Sequence, residues 1–322
     1  MVRRAIFQAP LAVVVAGVSF GMPARAQGPG QQAVLVTGAS TGIGRKITEL
    51  LASRGYLVYA GARKPEDLAA LNTIPNVQSI KLDVTDPAEI AAAVATVEKA
   101  GRGLYGLVNN AGVAVIEPLI EIDEKDLAFQ LDVNVMGPYR VTKAFSRMLI
   151  ASKGRIVTTG SLSGFLSGPL SGPYSMSKHA VEAFTDALAG EMTRFGVKVS
   201  VIEPGNFKSE IGKTLQARMK ASGKSYEGSA FQQEMKRFME GAAIGANDPE
   251  PDEVAEAALH ALSDPNPRLR YLVVPNQQQA GLTIRKLMSL AAQLNQGHQY
   301  SYSRDSLVAM LDQALARTAS PR

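Results

Sequence analysis

Short apolar segments alternate with helical stretches along most of this chain, and the alternation restricts its fold more than any other feature. Strands that alternate with helices form a parallel sheet covered on both faces, and right-handed crossovers leave few topologies for it. The sequence therefore predicts a doubly wound α/β fold. Its predicted strands are residues 33–36, 57–60, 77–82, 106–109, 155–159, 197–202 and 271–274.

The first predicted strand leads into a glycine-rich turn and then into a helix. Gly38, Gly42 and Gly44 have the spacing G-x-x-x-G-x-G, and Ile47 and Leu51 follow at helical spacing. Glycines allow a tight turn and let a pyrophosphate approach the amides at the positive end of a helix. The pattern is typical of a dinucleotide-binding turn, although a purely structural glycine loop would also explain this motif taken alone.

A tyrosine and a lysine stand one helical turn apart later in the chain. Tyr174 and Lys178 are four residues apart, so a helix places the phenol beside the ammonium. A free tyrosine, with a pKa of about 10, is a poor base at neutral pH, and a nearby cation favours the phenolate. The pair is a candidate acid/base group, and the alternative for this spacing alone is an ordinary polar helix face.

Three further motifs accompany these two. They are Asn-Asn-Ala-Gly at residues 109–112, Ser161 placed thirteen residues before Tyr174, and the pair Pro204 and Gly205. Five motifs in this order over residues 32–275 resemble the short-chain dehydrogenase/reductase family, most of all its hydroxysteroid and retinol dehydrogenases. The resemblance implies a single Rossmann-type domain at residues 27–275, with strand order 3-2-1-4-5-6-7 and helices on both faces.

The resemblance also assigns four catalytic residues. One acid/base group can serve both directions of a ketone–alcohol interconversion, and the family implies Tyr174 for it. Lys178 would lower the pKa of the tyrosine and bind the nicotinamide ribose, while Ser161 would hold the substrate oxygen. Asn134 matches the fourth residue. Pro138 has no N–H, so it leaves the Asn134 carbonyl free for a water that in the family links the lysine to solvent; a helix kink without a proton role is the alternative.

The cofactor residues follow from the same resemblance. Asp83 would contact the adenine, whereas Pro204, Gly205 and Ser209 would face the nicotinamide. No acid stands at the end of the second strand, and Arg63 there could bind a 2′-phosphate, so NADP is expected rather than NAD. The predicted cofactor-binding set is Gly38, Ser40, Thr41, Gly42, Ile43, Gly44, Arg63, Asp83, Val84, Asn110, Tyr174, Lys178, Pro204, Gly205 and Ser209.

Composition bounds the other classes of function. The chain has no cysteine and three histidines, which excludes a thiolate zinc site and argues against a histidine cluster, so no metal is expected. The formal charge of +5 falls to +2 without Arg3, Arg4 and Arg25. Because no basic stripe is interleaved with aromatic residues, no nucleic-acid partner is expected.

Residues 1–26 have the layout of a cleaved export signal. Arg3 and Arg4 precede an uncharged stretch at residues 5–24, and residues 24–26 read Ala-Arg-Ala. The paired arginines are a partial match to a twin-arginine signal. A periplasmic or otherwise exported enzyme without stable membrane insertion is expected. The alternatives are an uncleaved membrane anchor and a mis-assigned start codon, which would leave a cytoplasmic enzyme.

Two regions lie outside the predicted sheet. Residues 207–245 carry apolar side chains at helical spacing, among them Leu215, Met219 and Met235, and predict two amphipathic helices. The family has its substrate lid here, and methionine suits a flexible cover for an apolar ligand; plain packing against the sheet is the alternative. Residues 276–322 are expected to form a C-terminal helical extension.

The predicted function is an NADP-dependent oxidoreductase that transfers a hydride between nicotinamide and a secondary alcohol or ketone. The resemblance favours a lipophilic, steroid-like or retinoid-like small molecule as substrate, and a homo-oligomer as the assembly. A reductase of 3-oxoacyl groups or other small ketones is an alternative. A protein that binds the nucleotide as a sensor, without turnover, is another, and it would not need all four catalytic residues.

Overall fold

The computed structural model describes residues 30–241, 245 and 247–319, so the predicted export signal at residues 1–26 lies outside the described residues. Its strands are β1 (Ala33–Val36), β2 (Leu57–Ala62), β3 (Val77–Lys81), β4 (Gly106–Asn109), β5 (Arg155–Thr159), β6 (Lys198–Pro204) and β7 (Arg270–Val273). Its α-helices are α1 (Gly42–Ser53), α2 (Pro65–Leu71), α3 (Pro87–Lys99), α4 (Glu124–Leu131), α5 (Gly137–Ala151), α6 (Gly172–Thr193), α7 (Ile211–Ser222), α8 (Gln232–Glu240), α9 (Asp252–Ser263), α10 (Gln277–Leu294) and α11 (Arg304–Ala319).

The seven strands of the described residues form one parallel sheet in the order β3-β2-β1-β4-β5-β6-β7. The predicted fold and strand order are confirmed. Because β1 pairs with both β2 and β4, the winding reverses there and leaves a crevice at the carboxyl ends of these strands, where such sheets bind ligands. The glycine turn, Asn110, Ser161 and Gly205 all follow strands at this edge.

Each face of the sheet carries its own apolar core. Val34 and Val36 point into the core that contains Ile47 of α1 and residues of α9. Leu35 points the other way, into the core that contains Phe145 of α5 and residues of α3. Burial on both faces explains why the strands read as continuous apolar runs rather than as alternating ones.

The helical stretch that contains Asn134 is irregular. Residues Asp132–Met136 form a π-helical turn between α4 and α5, next to Pro138, which cannot donate a backbone hydrogen bond. Gly137 is required here because a Cβ would lie 2.7 Å from Val84 Cγ2. The turn places Asn134 in the interior, where 2% of it is exposed.

The glutamine-rich segment after β7 is a helix, α10, within the predicted C-terminal helical extension. Asn276 is its N-cap residue, because the Asn276 side chain accepts a hydrogen bond from the N–H of Gln279. The predicted helix near the C-terminus is present as α11. Over the described ranges no helix is both long enough and apolar enough to cross a membrane.

Candidate active site

The glycine turn ends at an uncapped helix. Gly38 (φ +63°) and Gly42 (φ +53°) have left-handed backbone conformations, which glycine adopts without strain. A Cβ at Gly44 would collide with the carbonyl of Gly38 and with Asn110 Nδ2. Thr41, the N-cap of α1, makes no side-chain capping bond, so the first N–H groups of α1 are available to an anionic ligand.

Asn110 joins this turn to the next two strands. Its Nδ2 donates to the carbonyls of Thr37 and Gly38, at 3.1 Å each, and its Oδ1 accepts from Thr159 Oγ1 at 3.3 Å. Thr37 Oγ1 in turn accepts from the N–H groups of Asn110 and Ala111. The loops after β1 and β4 and the end of β5 are therefore fixed to one another.

Lys178 is buried in α6, with 7% of it exposed. Its Nζ donates to the Thr159 carbonyl at 2.8 Å and lies 5.7 Å from the centre of the Tyr174 ring. Burial lowers the pKa of Lys178 to about 8, and the negative charge of Glu182 opposes that change. The Lys178 ammonium is thus hydrogen-bonded to the carboxyl end of β5.

Tyr174 and Ser161 lie together, as the resemblance implies. Burial raises the pKa of the Tyr174 phenol, and a hydrogen bond from Ser161 acts in the opposite direction. Ser161 Oγ also accepts from the N–H of Ser163 at 3.1 Å. The expectation that Lys178 lowers the pKa of the phenol differs from this geometry, because the ammonium is bound to Thr159 and Ser161 is the group that favours ionisation.

The Asn134 side chain is fully engaged by the protein. Its Oδ1 accepts from the N–H of Val113 at 2.8 Å, and its Nδ2 donates to the Val113 carbonyl and to Ser177 Oγ. Ser177 Oγ donates to the Tyr174 carbonyl at 2.7 Å. Asn134 is therefore linked to the backbone of the tyrosine.

Gln130 is a neighbour that the sequence analysis missed. It is fully buried, and its Oε1 accepts from the N–H of Val115 at 2.6 Å while its Nε2 donates to Ser177 Oγ at 3.3 Å. A glutamine one helical turn before Asn134, on a face that is otherwise apolar, was the available signal. Gln130 and Asn134 thus both bind the loop after β4, at Val115 and Val113.

The residues predicted for the adenine side meet at the ends of β2 and β3. Arg63 Nη1 lies 3.6 Å from Asp83 Oδ2, and 61% of the arginine side chain is exposed. Burial would raise the pKa of Asp83, but the Thr85 hydrogen bonds and Arg63 together lower it. Val84 is buried in the core. Arg63 is thus held over the crevice edge with most of its guanidinium in solvent.

The segment after β6 contacts both the glycine turn and α10. The Gly205 N–H donates to the Val273 carbonyl at 2.8 Å. Gln279 Oε1 accepts from the N–H of Asn206 at 2.8 Å. The same oxygen lies where the Cβ of any other residue at position 205 would be, so Gly205 gives it room. Ser209 packs against Gly42. No site contact was expected of the C-terminal extension, yet Gln279 of α10 makes one with Asn206.

Helices α7 and α8, the predicted lid, cover an apolar cluster beside the tyrosine. Leu215, Met219 and Met235 are buried there against Ala114 and Ile116 from the loop after β4. The Tyr174 ring packs against this cluster, whereas 43% of Met239 is exposed. The two predicted amphipathic helices are present and border the site.

A charged cluster fastens this lid to the loop after β4. Lys224 Nζ lies 2.6 Å from Asp126 Oδ2 and 3.0 Å from both Asp123 Oδ2 and Glu117 Oε2. Burial alone would lower the pKa of Lys224, but the three carboxylates raise it above its ordinary value. The ammonium is therefore charged at any physiological pH and joins the residues between α7 and α8 to α4.

A seven-stranded parallel sheet with a glycine turn at its reversal point, and with serine, tyrosine and lysine at the same edge, defines a nicotinamide-dependent oxidoreductase. The short chain dehydrogenase family model matches residues 32–220. The chain belongs to this family. It is an NAD(P)-dependent short-chain dehydrogenase/reductase that acts on CH–OH groups and the corresponding ketones.

Relatives agree with this assignment. Retinol dehydrogenase 5 of Homo sapiens is 34% identical over 252 residues, which cover 74% of this chain and 79% of the human protein. NADPH-dependent 3-dehydrocapnine reductase of Ornithobacterium rhinotracheale is 36% identical over 256 residues, covering 76% and 88%. A solved short chain dehydrogenase/reductase of Burkholderia phymatum, in complex with NAD, has the same fold (TM-score 0.71, 24% identity, 84% of this chain and 98% of that chain).

Substitution of Lys224 is expected to loosen the lid. Lys224→Met leaves three carboxylates that repel one another, and hydrogen bonds to charged groups contribute about 1.5–3 kcal/mol each. Amide hydrogen exchange across residues 211–240 should therefore become roughly tenfold faster or more. Mass spectrometry of peptides from this segment measures the change.

Lys220→Met is the matched control, because Lys220 is an exposed lysine in the last turn of α7, the helix that precedes Lys224. Exchange in this control should equal that of the unmodified chain. Equal exchange in Lys224→Met and Lys220→Met would show that the charged cluster does not hold the lid.

Proposed function

We propose that the chain is an NADP-dependent oxidoreductase that interconverts a lipophilic secondary alcohol and its ketone. The observation that carries the proposal is the meeting of Ser161 and Tyr174 beside Lys178, at the sheet edge where the uncapped α1 begins. A proton donor for the substrate oxygen and a binding place for a pyrophosphate are thereby within one crevice.

The residues at this edge fit a nicotinamide cofactor. The free N–H groups of α1 and the glycines around them suit the pyrophosphate, and Arg63 with Asp83 suits the adenosine half. Pro204, Gly205 and Ser209 suit the nicotinamide half. When bound, the cofactor supplies or accepts a hydride.

The protein's own groups then handle the proton. In the reducing direction Ser161 and the Tyr174 hydroxyl both donate hydrogen bonds to the substrate oxygen, and Tyr174 transfers its proton as negative charge develops there. Lys178 would bind a ribose hydroxyl of the cofactor through Nζ, and its ammonium would hold positive charge near the phenol. Asn134 keeps the backbone of Tyr174 in position through Ser177, and its carbonyl is the place for a water that restores the proton.

Arg63 supports the choice of NADP over NAD. It follows β2 at the place where an acid would hold the ribose hydroxyls, and its guanidinium is mostly exposed. A 2′-phosphate could form a bidentate pair with it. One relative is named for NADPH and one solved neighbour contains NAD, so Arg63 itself is the main support.

The apolar cluster on the lid supports a lipophilic substrate. Leu215, Met219 and Met235 adjoin the Tyr174 ring, and methionine adapts to irregular apolar ligands. A 3-oxoacyl group on a carrier would call for free positive charge near the opening. Lys208 and Lys213 are instead paired with Glu250 and Glu210.

Removal of the tyrosine hydroxyl is expected to abolish turnover. Tyr174→Phe should lower kcat by about 10² to 10⁴ while cofactor binding stays within about twofold, because only the transferable proton is lost. A screen of ketones and alcohols, followed by absorbance of the reduced cofactor, measures kcat. Tyr105→Phe, which removes a hydroxyl that donates to the Leu262 carbonyl, is the control. A Tyr174→Phe variant with more than a tenth of normal kcat would contradict the assignment.

Substitution of Arg63 is expected to erase the cofactor preference. The unmodified chain should favour NADP over NAD in kcat/KM by roughly tenfold to a hundredfold, as a charge-assisted pair of about 1.5–3 kcal/mol requires. Arg63→Ala should reduce that ratio to near one, whereas Lys64→Ala, an exposed neighbouring cation, should keep it. Equal kcat/KM for both cofactors in the unmodified chain would refute the preference.

We also propose export of the folded protein. A nucleotide cofactor is made in the cytosol, so an enzyme that needs it gains from a route that carries folded chains, and Arg3 with Arg4 partly matches a twin-arginine signal. Cell fractionation with N-terminal sequencing should give a mature end at Gln27, lost on Arg3→Lys/Arg4→Lys substitution. Recovery from the cytosol with Met1 intact would refute export.

A further inference from the structure

A second cluster of charged side chains lies behind Lys178, away from the substrate side. It consists of Glu182 and Asp186 from α6, Glu203 from β6 and Arg270 from β7. Glu182 and Glu203 are buried, with 7% and 3% exposed. Carboxylates are rarely so deeply buried without a partner, and in this cluster Arg270 is the partner of both.

Glu182 is the member nearest to the proposed catalytic groups. It follows Lys178 by one turn on the same side of α6. Its Oε1 is packed against the loop that carries Ser161, because a Cβ at Gly164 would lie 2.8 Å from this oxygen and a Cβ at Gly160 would lie 3.1 Å from it. Glu182 thus lies one helical turn from Lys178 and packs against the serine loop.

Arg270 connects the acids. Its Nε lies 3.2 Å from Glu182 Oε2 and 3.4 Å from Glu203 Oε1, and its Nη2 donates to Asp186 Oδ1 at 2.7 Å. Two buried carboxyl groups that share one cation do not both ionise readily.

Both carboxyl groups of this pair have pKa values above their ordinary range. Burial and the charge of Glu182 raise the pKa of Glu203 to about 8. Burial also raises the pKa of Glu182, but Arg270 and a hydrogen bond from Glu203 oppose that rise. The hydrogen bond between the two carboxyl groups lowers the pKa of Glu182 and raises the pKa of Glu203.

We propose that Glu182 is a positioning residue that acts through Lys178: its side chain, bound to Arg270 and packed against Gly160 and Gly164, places negative charge one helical turn from the buried ammonium. The proposal rests on the proposed role of Lys178 in binding cofactor. The charged groups that face Glu182 are Lys178 and Asp186 on its own helix, Glu203 on β6 and Arg270 on β7.

On this proposal, Glu182 sets the pH range over which Lys178 keeps its proton. A buried lysine has a depressed pKa, and loss of the nearest negative charge depresses it further, by about one pH unit or more at the effective dielectric constant of protein sites. Lys178 would then lose its proton at a lower pH. Cofactor binding, which uses the ammonium, should weaken at that lower pH.

Fluorescence titration of NADPH binding to Glu182→Gln between pH 6 and 10 tests this. At pH 6 its Kd should equal that of the unmodified chain. The rise of Kd at alkaline pH should begin about one unit lower, and Glu182→Asp should restore the normal range. The double variant Glu182→Gln/Glu203→Gln, whose two amides can hydrogen-bond to each other, should show the same shift and removes dependence on the folding of the single variant.

Asp186→Asn is the matched control, because it removes the exposed acid from the same arginine and should leave the alkaline rise unchanged. A Kd that rises equally at every pH in Glu182→Gln would indicate a purely structural role and overturn the proposal, as would an alkaline rise at the normal pH. Binding is measured without turnover, so such a result leaves the test of Tyr174 unaffected.

Discussion

The hydrogen bonds of the Asn110 side chain are the interaction on which the rest of the site depends. Its amide reaches the Gly38 carbonyl on one side and Thr159 on the other, and the Thr159 carbonyl holds Lys178. These bonds fix the distance between two halves of the crevice. One half suits a dinucleotide, and the other contains the proposed acid/base residues. A substitution at Asn110 would affect both, because no other side chain bonded here replaces its donor and its acceptor together.

Two groups of residues surround this centre and stabilise it. The apolar faces of α7 and α8 pack beside the tyrosine, and Lys224 fastens these helices through a charged cluster at their connecting loop. On the opposite side, Glu182 and Arg270 place buried charge behind Lys178. The lid is thus held by apolar packing together with ion pairs, whereas the groups behind the lysine lie on α6 and on the strands β6 and β7.

The sequence predicted the sheet because its information is local. Each strand is an apolar run between turn residues, and glycine spacing marks the turn after β1 directly. The partners of the site residues depend on contacts far apart in the chain. Gln279 reaches Asn206 across 73 positions, and Arg270 reaches Glu182 across 88, and no periodicity reports such pairs. The position of the Lys178 ammonium on a strand-end carbonyl was missed for the same reason.

Isotope transfer is the most direct test of the claim that both halves of the crevice act on one substrate. The chain is incubated with reduced nicotinamide cofactor carrying deuterium at the transferring position and with a panel of ketones, and the alcohols are examined by mass spectrometry. We expect one deuterium on the carbinol carbon of at least one lipophilic product. Cofactor that binds at the crevice, yet gives no labelled alcohol and accepts no deuterium from labelled alcohols in the reverse direction, would contradict the claim.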